Sequence, residues 1–150
     1  MITKESKLVK KCCLYASDFH LEMILLPYIK EGIDKSKFLI ITQNDLSETI
    51  KILLDRVNIE KKHKKEILNL NWKKTNIEDL KYVKELINKN DDIHIIVNGD
   101  YKYINEINDN LILLYSNNVN IIDCFNINDK NIDLSEIKNN YNEVINTRKI

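Results

Sequence analysis

Glycine is nearly absent: Gly32 and Gly99 are the only two, and they stand far apart. A G-x-x-x-x-G-K-[ST] phosphate loop and a G-x-G-x-x-G dinucleotide fingerprint both need closely spaced glycines, because backbone amides must wrap the phosphate. Neither cradle can form in this chain. Proline occurs once, at Pro27, and no Pro/Gly/Ser-rich stretch marks a linker, so residues 1–150 are expected to form a single domain. No apolar run approaches the roughly 20 residues of a membrane span. The opening "MITKESKLVKKCCLYASDFHLE" holds no signal-peptide core before Asp18, His20 and Glu22 intervene. A cytoplasmic protein without a membrane partner is the expectation. Cysteine is odd in number, three in all, which favours free thiols over a disulfide framework. Lys plus Arg and Asp plus Glu both total 23, so no global field draws the chain to nucleic acid or an anionic membrane.

Apolar residues are plentiful enough, at 43%, to rule out a disordered chain. Continuous apolar runs predict strands at residues 12–16, 38–42, 67–72, 93–98 and 119–125, the kind buried on both faces. Helical spacing joins Leu21, Ile24, Leu25, Tyr28 and Ile29, with Pro27 inside removing one backbone donor. A second stripe runs Leu46, Ile50, Leu53, Val57, opened by Asp45 and Glu48 in a capping-box-like arrangement. The third follows a Thr75/Glu78 capping box through Ile77, Leu80, Val83 and Ile87. Ile104, Ile107, Leu111 and Leu114 form the fourth, and Leu134, Ile137, Tyr141 and Val144 the fifth. This βα alternation predicts an α/β fold: one three-layer αβα domain with a mainly parallel five-stranded sheet and right-handed crossovers.

The first strand-to-helix turn reads Ala16-Ser17-Asp18-Phe19-His20. Ser17 and Asp18 are suited to cap the helix, which puts a carboxylate where a nucleotide-binding unit would hold phosphate. The topology predicts a crevice at the carboxyl ends of the strands, the usual ligand position in open α/β sheets. Tyr15, Ser17, Asp18 and His20 from the first turn, with Asn98 and Asp100 from "NGD", are the candidate ligand-binding residues. For Gly99 and Asp100, a turn glycine followed by a helix N-cap is the plainer reading. Cys12 and Cys13 alternate across a strand and cannot share a metal, while Cys124 lies in another apolar run; core thiols are expected. His20, His63 and His94 lack any metal-ligand spacing, so neither metal nor cofactor is expected. "EKKHKKE", residues 60–66, reads as a solvated helical or connecting segment, with a nucleic-acid or partner patch as the alternative. A phospho-receiver reading fails because the expected third strand ends "NLNWKK", without an acceptor Asp.

In order along the chain, "CCLYASDFHLEMILLPYIKEGIDKSKFLIIT", "VNGDYKYI", "LILLYSNNVN" and "NIIDCFNINDKNIDLSEI" resemble the MEDS (methanogen/methylotroph DcmR sensory) domain family. The family pattern is an apolar strand ending Leu-Tyr, an acidic turn, a helix containing Pro and ending in Gly, a Gly-Asp-aromatic segment, and a closing strand and helix. The resemblance spans residues 8–145, with departures at "LNLNWKKTNIEDL" and "DCFNIND". It implies a RecA-like fold with a degenerate phosphate loop, serving as a sensory module without catalysis of its own. It further implies a small-molecule ligand and an output partner of kinase, anti-sigma or transcription-regulator type. Since the chain has no room for an output domain, signalling through a separate protein or a homodimer is expected. The competing expectations are an interaction module with a vestigial pocket and an enzyme using Cys or His chemistry.

Overall fold

The computed structural model describes residues 8–89, 92–111 and 118–145. Five strands, β1 (Leu8–Tyr15), β2 (Lys37–Thr42), β3 (Asp92–Gly99), β4 (Asn118–Asn126) and β5 (Glu143–Ile145), form one sheet in the order β2-β3-β4-β1-β5. Every pairing is parallel. The helices are α1 (Asp18–Gly32), α2 (Ser47–Arg56), α3 (Lys61–Leu68), α4 (Leu80–Lys89), α5 (Tyr101–Leu111) and α6 (Leu134–Asn139). None is long and apolar enough to cross a membrane.

Strand alternation sorts the core into two layers. Cys13, Tyr15, Ile40, Ile96, Ile122 and Cys124 face α1 and α2, where they meet Leu21, Leu25, Ile29, Ile50 and Leu54. Cys12, Ile41, Ile95, Val97, Ile121 and Phe125 face the opposite way, onto Val83, Ile87, Ile104, Ile107 and Ile137. A sheet covered on both faces accounts for the nearly unbroken apolar strands, and the three-layer αβα architecture is the one the alternation predicts. The strand order explains the placement of α1, α4, α5 and α6, whereas α2 and α3, also between β2 and β3, pack on the α1 face. The connection from β1 to β2 runs one way along the sheet, while those from β2 to β3, β3 to β4 and β4 to β5 run the other. Right-handed crossovers must then place α1 on one face and α4, α5 and α6 on the other.

Several sequence expectations need correction. Residues 67–72 are not a strand: Ile67 and Leu68 end α3, and the segment turns so that Ile67 and Trp72 both reach the core. The Trp72 indole N–H donates to the Ile67 carbonyl at 2.8 Å, a closure that suits a turn. The remaining strand is β5, carved from the end of the expected fifth helix; α6 stops at Asn139, and Val144 pairs with Cys12. The expected capping boxes are replaced by other contacts. Asp45 accepts the Ser47 N–H at 2.9 Å, an Asx turn ahead of α2. Thr75 and Glu78 make no side-chain cap for the 3₁₀ turn Ile77–Asp79 that leads into α4. Leu114 lies outside the described residues. Pro27 is accommodated within α1, which continues to Gly32. The segment "EKKHKKE" forms most of α3, as a largely solvated helix.

The strand whose ending excluded a phospho-receiver in the sequence is absent, and β3 in fact leads directly into Asp100. What separates the folds is strand order. The flavodoxin-like order sets β1 between β2 and β3, whereas here β1 lies between β4 and β5.

Candidate functional site

Because all strands are parallel, their carboxyl ends share one rim. Register places Tyr15 beside Asn126, Gly99 beside Phe125 and Thr42 beside Asn98. The helices following β1 and β4 depart to opposite faces, so these two adjacent strands form a topological switch point, where a crevice opens. A cavity of about 290 Å³ lies at this rim, lined by Tyr15, Gln43, Asn44, Gly99, Asp100, Asn126, Asn128 and Asp129.

Beneath it runs a buried hydrogen-bond chain. The Tyr15 hydroxyl donates to Asn98 Oδ1 at 2.6 Å, and Asn98 Nδ2 donates to Thr42 Oγ1 at 3.1 Å. Thr42 Oγ1 in turn donates to the Asn44 carbonyl at 2.7 Å and accepts the Asn44 N–H at 3.2 Å. The chain ties the ends of β1, β3 and β2 into one unit. Burial pushes the Tyr15 phenol well above its ordinary range, with Cys124 and Asp18 adding to the effect, so it remains a neutral donor.

Gln43 spans the mouth: its Oε1 accepts the Asp100 N–H at 2.8 Å and its Nε2 donates to Asp100 Oδ2 at 3.3 Å. Asp100 Oδ1 accepts the Tyr103 N–H at 2.7 Å and so caps α5. Gly99 is required by close approach alone, since a Cβ there would stand 2.5 Å from Tyr103 Cδ1 and 2.8 Å from Gln43 Oε1. On the other side the loop after β4 is held by Asx turns: Asn126 Oδ1 accepts the Asn128 N–H at 2.9 Å, and Asp129 Oδ1 the Asn131 N–H at 2.9 Å.

The six residues expected at the site divide into two groups. Tyr15 and Asp100 line the cavity, and Asn98 lies directly beneath, bonded to Tyr15. Ser17, Asp18 and His20 instead build the start of α1. Ser17 is the N-cap, its Oγ accepting the His20 N–H at 3.2 Å, and His20 Nδ1 accepts the Ala16 N–H at 2.9 Å. Two amides of this turn, those of Ala16 and His20, are thus engaged by the helix's own side chains. Sequence reasoning missed Gln43, Asn44, Asn126, Asn128 and Asp129. Each follows the end of β2 or β4 or closes it, so the rim rule applied to β2 and β4 as well as to β1 and β3 would have found them.

Comparison with protein-family models, with curated proteins and with solved structures returns no significant match. The resemblance to MEDS domains therefore rests on motif order, and what this site can do rests on its geometry. Among the described residues its lining offers amide and hydroxyl groups and two carboxylates, and neither lysine nor arginine. A phosphate entering would face Asp100 and Asp129 without a counter-charge. Neutral or cationic polar molecules suit the cavity better. Among the described residues no group of three His, Cys, Asp or Glu side chains is placed to hold a metal. All three thiols are buried, and burial raises Cys12 to about 11 and Cys124 well above its ordinary value.

Two buried carboxyls also escaped the sequence reading. Glu22, fully buried on α1, accepts from the Thr49 hydroxyl of α2 through Oε1, while Oε2 has no partner. Burial pushes its pKa up to about 7, against the Thr49 hydrogen bond and with help from Asp18. Asp123 on β4 is 1% exposed and accepts from Asn108 Nδ2 at 3.1 Å and the Tyr141 hydroxyl at 2.7 Å. Burial raises it too. Each interrupts an apolar run, "LEMILL" and "NIIDCF", and that interruption was the available signal.

Proposed function

We propose that this chain is a non-catalytic sensory or regulatory domain that binds a small polar molecule in the rim cavity and signals its occupancy to a separate partner protein. The observation that carries this reading is the cavity at the β1/β4 switch point, floored by the Tyr15–Asn98–Thr42 chain. A ligand hydrogen-bonded to Tyr15 or Gln43 would bias that chain and, through Thr42, the segment whose Thr75 N–H donates to the Thr42 carbonyl at 2.8 Å. The motif order shared with MEDS sensory domains supports the same reading.

The test is a thermal-shift screen of the purified protein against neutral, cationic and anionic polar metabolites, nucleotides included. A ligand binding only the folded state at 100 times its dissociation constant adds about 2.7 kcal/mol of stability. The expected hit is neutral or cationic, and Asn128→Leu, which fills the cavity from an exposed loop position, abolishes it while leaving the unliganded Tm unchanged. A screen without any shift, or a shift indifferent to Asn128→Leu, overturns the proposal. A second reading, an interaction module with a vestigial pocket, draws on Phe19 and Met23, both exposed and one turn apart at the start of α1. It predicts loss of partner capture in Phe19→Ser/Met23→Ser with no effect from Asn128→Leu.

A further inference from the structure

A second cavity, of about 300 Å³, lies between α5 and α6 on the sheet face that these helices cover. Phe125 of β4 lies at its base, only 2% exposed. Tyr101, from the first turn of α5, and Tyr141, which follows α6, flank that ring. Their centroids lie 6.4 Å and 6.0 Å from that of Phe125, with interplanar angles of 34° and 71°. Tyr141 is oriented by its bond to buried Asp123, itself held by Asn108. Asp133 and Glu136 add two carboxylates to the lining, against the one ammonium of Lys10. Lys10 is pinned at its backbone to Asn142 by bonds of 2.9 and 2.8 Å, and its charge acts on Asp123.

We propose that this cavity binds an organic monocation, with an alkylammonium head group seated between Tyr101 and Tyr141 and the carboxylates of Asp133 and Glu136 as counter-charge. The face of an aromatic ring carries the negative part of its quadrupole, so converging rings favour a large, weakly hydrated cation. A small hydrated metal ion gains little from such rings, and an anion would meet a net negative lining. The inference concerns a cavity separate from the rim and does not rest on the sensory reading.

The test is titration of the full chain with choline and with its uncharged carbon isostere, followed by calorimetry and by NMR shifts of the tyrosine rings. Choline is expected to saturate at millimolar concentration or below, with the isostere at least about tenfold weaker. Tyr101→Ala, at a position exposed enough for the fold to tolerate it, should weaken choline about fivefold or more, and Tyr101→Phe should restore it. Glu136→Gln should weaken binding and flatten its salt dependence, while Asn128→Leu in the rim cavity should leave it unchanged. Absence of saturation below about 100 mM, equal binding of the isostere, or indifference to Tyr101→Ala would each overturn the assignment.

Discussion

Glu22→Gln removes the ionisable group between α1 and α2 while keeping an acceptor for the Thr49 hydroxyl. In the wild type the carboxyl's pKa rises from its ordinary 4.5 to about 7 because burial disfavours the charged form. Below pH 4.5 it is protonated in both folded and unfolded chains, and ionisation costs nothing. Between 4.5 and about 7 the unfolded chain releases the proton while the folded one holds it, so stability falls as pH rises. Above that window both forms are ionised and the full penalty applies. At about 1.4 kcal/mol for each tenfold change in ionisation constant, a rise from 4.5 to about 7 corresponds to about 3 kcal/mol. The amide that Glu22→Gln introduces would bury an unpaired donor at a cost of about 1 to 3 kcal/mol, but that cost is independent of pH. The signature is therefore the difference between the two proteins: variant minus wild type should climb by about 3 kcal/mol from pH 4.5 to about 8. Urea unfolding followed by Trp72, the single tryptophan and a buried one, supplies the curves. A difference flat to within about 0.5 kcal/mol would refute the reasoning, since titrating groups that do not interact with Glu22 cancel between the two proteins.

Gly99→Ala should destabilise the fold by about 1 to 3 kcal/mol in the same assay, because its Cβ would stand 2.5 Å from Tyr103 Cδ1 and that ring is tied to the Thr75 carbonyl at 2.7 Å. An unchanged denaturation midpoint would show that Tyr103 and Gln43 move aside freely. Tyr15→Phe leaves Asn98 Oδ1 without its donor in the core and should cost about 1 to 3 kcal/mol; Tyr15→Phe with Asn98→Leu should recover part of that loss in a double-mutant cycle. A thiol reagent should label none of the three buried cysteines at neutral pH in the folded protein and all three in urea. Rapid labelling of any one under native conditions would contradict its burial.

Much of the fold was legible because burial on both faces leaves a plain trace in sequence. The runs around Cys13, Ile40, Ile96 and Ile122 are apolar at successive positions, and the stripes through Leu21, Ile50, Val83 and Ile107 repeat at helical spacing. The same reasoning failed at 67–72 and at 143–145. Ile67 and Trp72 are as buried as strand residues, yet a short apolar run does not distinguish a strand from a helix end that turns back. Val144 continues a helical stripe from Tyr141 as naturally as it pairs with Cys12, and only the open edge of β1 decides between them. The candidate site divides along the same line. Tyr15, Asn98 and Asp100 were found because local pattern places them at strand ends, whereas Gln43, Asn126 and Asp129 join them through packing between strands distant in sequence.

By itself, the sequence determined the βα alternation and excluded a glycine-built phosphate cradle, since both depend on residues near one another along the chain. The tertiary structure decided the order β2-β3-β4-β1-β5, and with it which loops meet at the β1/β4 switch point and which aromatic rings gather between α5 and α6. Strand order is settled by which apolar edges and crossovers fit together across the whole sheet, and no local stretch of sequence carries that information.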